Sequence, residues 1–364
     1  MSMISKRSEK VSASGIRKVF DLAQSMENPI NLSIGQPDFD VPDVVKERAI
    51  SAIKEGKNSY TVTQGIPELH EAIRNEASRH GYDPEDVLVT SGVSGGIVLA
   101  FLALADPGDE VLIPDPYFVM YKHLANLFGM TPKFVDTYPD FHLTEEKLTA
   151  QITDKTKILV LNSPSNPTGV SATEEELKMV AEVAKKHDLI VLYDEIYSSF
   201  NYGGEHDSIA KYYDKVIVLN GFSKSHGMTG WRLAYAMGPK DAIQAMTKLQ
   251  QFSFVCAPSM VQYAGVVAME QPLQSTMEAY RKKRDIIYEG LKDKFEVAKP
   301  DGAFYIFPKA PGGNATDFVL KAIENNVLII PGSVFSERDT HFRISFAAKD
   351  ETLKAGIEVL NNLA

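Results

Sequence analysis

The chain predicts an α/β fold, a mostly parallel sheet sandwiched by helices, with a smaller α+β domain after it. Two observations carry this expectation. Five short apolar runs, 87–90, 110–113, 158–161, 189–192 and 216–219, read as strands, and helical patterns separate them. Buried strands that alternate with helices form parallel sheets with both faces covered. After about residue 255 the texture changes to a long charged helix, short strands and a further helix.

The first helix, over 95–105, contains the longest apolar run, Ile97 to Ala105, and stops at Asp106-Pro107-Gly108-Asp109. That run is about half a membrane span, so it reads as a buried helix. Patterns over 118–128 and 173–187 give the next helices. Thr173-x-x-Glu176 has the form of a capping box at the start of the second. Beyond 255, a helix is expected over 280–294 and a strand over 302–307. A helix over 318–326 and strands over 327–331 and 341–346 follow. The basic cluster Arg281-Lys282-Lys283-Arg284 reads as a solvated helix face.

With 364 residues, two domains fit better than one. A net charge of −10, with Lys and Arg scattered, leaves no basic stripe for nucleic acid. Cys256 is the single cysteine, so no internal disulfide forms and a cytoplasmic setting is expected. Between Val255 and Ala257 it reads as a small buried apolar residue. The first seven residues lack the apolar stretch of a signal peptide, and no membrane partner is expected.

Nearly every candidate chemical residue follows a strand, where ligands of parallel sheets bind. Lys224 stands among small residues with Arg232 eight positions on, which suits an imine to an aldehyde beside a phosphate clamp. A solvated surface lysine is the plain alternative. Thr90-Ser91-Gly92-Val93-Ser94-Gly95-Gly96 opens a helix whose N–H groups could face an anion, although many helices begin this way. Asp194 ends an apolar strand, where it is a helix cap or the partner of a buried cation. Asn162-Ser163-Pro164-Ser165-Asn166-Pro167-Thr168-Gly169 alone would be a turn. Phe118 alone would be core, and Tyr60 a loop aromatic. Arg343, the one charge in an apolar alternation, is a strand-edge ion pair or a carboxylate fork. No metal ligand set is assigned.

Together these motifs, in order from about Ile16 to Phe346, closely resemble the class I/II aminotransferases, the pyridoxal-phosphate enzymes of fold type I. The resemblance implies a sheet of the seven-stranded type in a large domain at 36–255, with a small domain at 1–35 and 256–364. It implies that Lys224 carries pyridoxal 5'-phosphate and that Gly92, Val93, Ser94, Ser223 and Arg232 hold its phosphate. Asp194 would pair with the ring nitrogen, Tyr197 and Asn166 would bond the phenolic oxygen, and Phe118 would stack on the ring. Gly35, in Gly35-Gln36-Pro37-Asp38-Phe39, and Asn166 would meet substrate, and Arg343 would bind its α-carboxylate. Tyr60 would reach the phosphate of a neighbouring subunit, which makes the protein a homodimer. Two positions depart from the family: Gly221, where some relatives carry Ser or Thr, and His226, where an aromatic is usual.

The implied reaction is a ping-pong exchange of an amino group between an amino acid and a 2-oxo acid. A carbon–sulfur lyase shares the fold and cofactor and is the nearest competitor. A ligand-sensing regulator is a different class and usually carries an N-terminal DNA-binding domain; only a short leader precedes Ile16. A nicotinamide dehydrogenase lacks support without G-x-G-x-x-G. The segments 16–21 and 221–224 look most like aromatic and broad-range members. With no second arginine identifiable for an acidic side chain, an aromatic or large neutral donor is expected, with 2-oxoglutarate a plausible acceptor.

Overall fold

A computed structural model describes residues 3–9, 11, 15–16 and 26–364. Residues 17–21 of the segment compared with aromatic members therefore lie outside the described residues. The strands are β1 (Ile30–Asn31), β2 (Asp86–Thr90), β3 (Glu110–Asp115), β4 (Thr131–Asp136), β5 (Thr156–Asn162) and β6 (Ile190–Asp194). They continue as β7 (Val216–Gly221), β8 (Ala234–Gly238), β9 (Tyr305–Ile306), β10 (Val327–Leu328), β11 (Ile330–Pro331) and β12 (Phe342–Ser345).

Seven of them form the central sheet in the order β2-β8-β7-β6-β5-β3-β4. All pairings within β3 to β7 are parallel, and only β8 runs against its neighbours β2 and β7. The α/β class and the mostly parallel sheet expected from the sequence are thus present. Alternation along each strand feeds two cores. Val89, Leu159, Val191 and Val218 pack on one face, and Leu88, Ile158, Leu192 and Ile217 on the other. Each such side chain contributes roughly 1.5–3 kcal/mol on burial, which explains why these runs read as continuous apolar strands.

Two strands of this sheet escaped the sequence reading. The edge strand β4 carries Pro132 and Lys133 and has one buried position, so it lacks the apolar signature. The sequence of β8, Ala-Tyr-Ala-Met-Gly, is poor in strand-forming residues and owes its conformation to pairing on both sides. The Thr173 expectation is half met. Its side chain accepts from the Glu176 N–H at 3.1 Å. The Glu176 carboxylate instead accepts from the Leu143 N–H and meets His142.

The three-stranded sheet β11-β12-β9 is antiparallel, and β1 pairs with β10 in parallel. Their core includes Phe304, Ile306, Ile329, Phe342 and Ile344, together with residues of the helices Gln274–Leu291, Ala315–Glu324 and Asp350–Leu363. The strand expected over 302–307 is confined to β9, and the charged helix starts earlier than expected, at Gln274.

The basic cluster on that helix is not a solvated face. Arg284 is buried and donates to the Pro300 carbonyl, and Arg281 donates to that of Tyr202. Lys283 is ion-paired with Asp38, and only Lys282 faces solvent. Cys256 is half-buried, more open than expected. Among the described residues, no helix is long and apolar enough to cross a membrane.

Candidate active site

A cavity of about 440 Å³ opens at the carboxyl ends of β5, β6 and β7, against the start of the helix Gly92–Leu104. Each parallel strand ends where its loop delivers a polar side chain, so residues distant in sequence converge there. Its lining includes Gly35, Val93, Ser94, Phe118, Asn166, Asp194, Tyr197, Ser223, Lys224, Arg232 and Arg343, all singled out from the sequence. Tyr121, Asn162, Thr229 and Tyr305 join them without having been anticipated. Nothing in a lone Tyr at 121 or 305 marks it; position 305 lies in the strand expected over 302–307.

Lys224 lies in the short helix Phe222–Ser225 that follows β7. Its Nζ donates to the Gly35 carbonyl at 2.6 Å. Burial, with the charges of Arg343 and Arg232, pushes its amine down to about 8, and Asp194 opposes the shift. Lining the cavity and hydrogen-bonded to Gly35, Lys224 is not a solvated surface lysine.

Asp194, the last residue of β6, is buried. Tyr121 donates to its Oδ2 at 2.7 Å, and the Ile196 N–H to its Oδ1 at 3.2 Å. Burial pushes its carboxyl up to about 6, while these two donors pull the other way. The next β-strand turn is tied to it: the Asn162 amide donates to the Asp194 carbonyl at 2.9 Å, and the Asn166 N–H donates to Asn162 Oδ1 at 2.9 Å.

Arg343, on β12, is 1% exposed. It donates from Nη1 to Asn166 Oδ1 at 2.9 Å and from Nη2 to the Ser33 carbonyl at 2.8 Å. The rings of Tyr305 and Phe335 each lie 4.5 Å from its guanidinium carbon. Among the described residues its hydrogen-bond partners are an amide and a backbone carbonyl, not a carboxylate, and its buried Nε has no partner. A strand-edge ion pair is excluded, and the fork faces the cavity with hydrogen-bonding capacity to spare.

The helix Gly92–Leu104 begins without a side-chain cap from Ser91. Its first N–H groups are therefore not satisfied from within by that side chain. Gly92 has φ +70°, and a Cβ there would collide with Arg232 Nη2. The positive φ favours glycine here, and the Arg232 guanidinium occupies the space a Cβ would take. Phe118 is half-buried, edge-on to Tyr121 at 5.7 Å. Tyr60 is 84% exposed and does not line the cavity.

The two departures have physical explanations. At Gly221 a Cβ would lie 2.6 Å from the Ala234 Cβ, so the neighbouring strand leaves no space for Ser or Thr. His226 is buried outside the cavity, tilted against Phe222 at 5.6 Å, with Nδ1 at 2.8 Å from Ser225 Oγ. Burial pushes its imidazole down to about 4, so it packs as a neutral aromatic.

The model of the family described as "Aminotransferase class I and II" matches residues 27–360. This chain belongs to that family. The aminotransferase is 40% identical to the probable aspartate aminotransferase of Methanocaldococcus jannaschii, over 99% of this chain and 100% of that protein. It is 36% identical to aromatic-amino-acid aminotransferase 2 of Thermococcus litoralis, over 98% of this chain and 96% of that one. The aspartate aminotransferase of Thermus thermophilus with maleate superposes with a TM-score of 0.94 at 33% identity, covering 100% of both chains.

Aminotransferases of this family use pyridoxal 5'-phosphate and act on amino acids and 2-oxo acids. The residues here fit that cofactor. An uncapped helix start beside Arg232 suits a phosphate, a half-buried lysine in the cavity that loses its proton easily suits an aldehyde, and a buried carboxylate lacking a cation contact suits a protonated ring nitrogen.

Proposed function

We propose that this aminotransferase takes its amino group from an aromatic or large neutral L-amino acid and passes it to a 2-oxo acid. The observation that carries the donor class is the set of cations. Among the described residues, the only cationic side chains lining the cavity are Lys224, Arg232 and Arg343. Each has a task in this reading, so none is left for a second substrate carboxylate, whose unpaired burial would be costly. Ile16, Val93, Ile97, Phe118 and Ile196 supply apolar wall instead. Relatives carry both aspartate and aromatic names, so the names alone do not choose.

Bound pyridoxal phosphate would supply an electron sink for the carbanion left when the substrate Cα loses its proton. Arg343 would hold the α-carboxylate and fix the Cα hydrogen toward Lys224. Lys224, neutral above about pH 8 and held by the Gly35 carbonyl, is the base for that proton. Asp194 would keep the ring nitrogen protonated, while Tyr197 and Asn166 would bond the phenolic oxygen and Phe118 would cover the ring. Gly92, Val93, Ser94, Ser223 and Arg232 would hold the phosphate.

The site is proposed to be completed in a homodimer by Tyr60 of the partner subunit. Tyr60, Val62, Phe252, Phe254 and Val255 form exposed apolar surface on two loops joined by Gln250, which donates to the Thr63 carbonyl at 2.8 Å. The division at 36–255 is kept with one change. Helix Ser259–Met269 is assigned to the large unit, because its residues pack in the core of the central sheet. A cytoplasmic setting accords with a single, half-buried cysteine.

Phenylalanine, tyrosine, alanine and aspartate assayed side by side as donors test the substrate class. Phenylalanine or tyrosine should exceed aspartate in kcat/KM by an order of magnitude or more, as one buried aromatic side chain is worth about 1.5–3 kcal/mol. A preference for aspartate overturns the donor class and leaves the family assignment standing.

A further inference from the structure

Tyr305 has no assigned task, yet it touches three parts of the site. Its ring lies 4.5 Å from the Arg343 guanidinium carbon, and its hydroxyl is 2.9 Å from the Tyr197 hydroxyl. The hydroxyl also reaches Gly35, where an added Cβ would lie 2.5 Å from it, and the Gly35 carbonyl holds Lys224. Tyr305 is 1% exposed and Tyr197 3%. Among the described residues, neither hydroxyl has another protein hydrogen-bond partner. Arg343 and Asp194 are the charged groups that act on the pair, and Lys224 lies 5.9 Å from the Tyr197 ring centre.

We infer that Tyr305 is a positioning residue that donates its hydroxyl proton to Tyr197, so that Tyr197 is committed to donating to the phenolic oxygen of bound pyridoxal phosphate. This rests on the proposed role of Tyr197. The argument is a count of protons. A tyrosine hydroxyl has one hydrogen and two acceptor lone pairs. If Tyr197 donates to the cofactor oxygen, the short contact at 2.9 Å can be a hydrogen bond only with Tyr305 as donor. The opposite polarity would spend the Tyr197 proton on Tyr305 and leave the phenolic oxygen facing a lone pair. Donation by Tyr305 also polarises the Tyr197 O–H and strengthens its outward bond. The Arg343 guanidinium beside the Tyr305 ring favours electron density on that ring and fixes its orientation.

The test is the absorbance of the cofactor-loaded protein titrated with pH, which reports the proton on the lysine–cofactor linkage without turnover. A weaker donor leaves more negative charge on the phenolic oxygen, and that charge retains the neighbouring proton. Tyr305→Phe keeps the ring beside Arg343 and should raise the spectral pKa by roughly half a unit, about the worth of one neutral hydrogen bond. Tyr197→Phe should raise it further, and Tyr305→Phe added to Tyr197→Phe should have no additional effect. An unchanged spectral pKa in Tyr305→Phe, with Tyr197→Phe shifted, overturns the relay alone. An equal shift from Tyr305→Phe in both backgrounds also overturns it, since Tyr305 would then act without Tyr197. No shift in Tyr197→Phe overturns the role of Tyr197 itself. If Tyr305→Phe fails to fold, fluorination of tyrosine at position 305, which acidifies the hydroxyl, should lower the spectral pKa, and no change refutes the relay.

Discussion

The Tyr121 hydroxyl donates to Asp194 Oδ2 at 2.7 Å, joining the helix Val119–Phe128 to the end of β6. Together with the Ile196 N–H on Oδ1, it occupies both carboxylate oxygens without neutralising the charge. Burial consequently dominates and lifts the carboxyl to about 6. Asp194 is thereby a buried acid that awaits a cation.

That environment gives the cofactor-free protein a stability that depends on pH. The folded-state value of Asp194 lies above the ordinary 3.8, so the folded form binds the proton more tightly than the unfolded one. Its contribution is fully present below pH 3.8 and is lost as pH rises through about 6, a change of about 3 kcal/mol. Asp194→Asn should therefore be more stable than the wild type at pH 8 when both lack cofactor, with the gap closing toward pH 4. Urea unfolding across that range measures it, and a constant gap would count against a raised carboxyl. The same variant, once loaded, should lose most turnover, because the ring nitrogen loses its counter-charge.

Lys224 should hold the cofactor covalently. Borohydride reduction of the loaded protein should fix the label on the peptide containing Lys224, and Lys224→Ala should lose transamination by at least about 100-fold. Because its amine is pushed down to about 8, the rate at which cofactor-free protein takes up pyridoxal phosphate should rise with pH and level off above about 8. A rate still climbing toward pH 10 would mean an ordinary lysine.

Tyr60 is exposed in the single chain, and its proposed phosphate belongs to the partner subunit. Sedimentation should find a dimer, and Tyr60→Phe should weaken cofactor binding by about tenfold or more, the worth of one hydrogen bond to a charged oxygen. An active monomer, or unaltered cofactor affinity in Tyr60→Phe, would remove this residue from the site.

The sequence by itself determined the α/β class, the five central strands and the chemistry-bearing loops that follow them. These features are local: a buried parallel strand must be apolar along its length, and the turn after it must supply Gly, Asn, Pro or a charged group within a few residues. Asp194, Asn166, Lys224 and Arg232 were legible through the resemblance of their segments to aminotransferase motifs, because each read alone had an ordinary structural explanation. Tertiary structure alone decided what depends on a neighbour distant in the chain. Strand β8 exists because β2 and β7 pair with it, and Gly221 is glycine because Ala234 fills the space beside it. Arg281, Lys283 and Arg284 are anchors because Tyr202, Asp38 and Pro300 fold against them. Tyr121 and Tyr305 carried no signal in the sequence, because a tyrosine buries its ring wherever its hydroxyl points; only the placement of the hydroxyl, 2.7 Å from Asp194 in one and 2.9 Å from Tyr197 in the other, makes them part of the site.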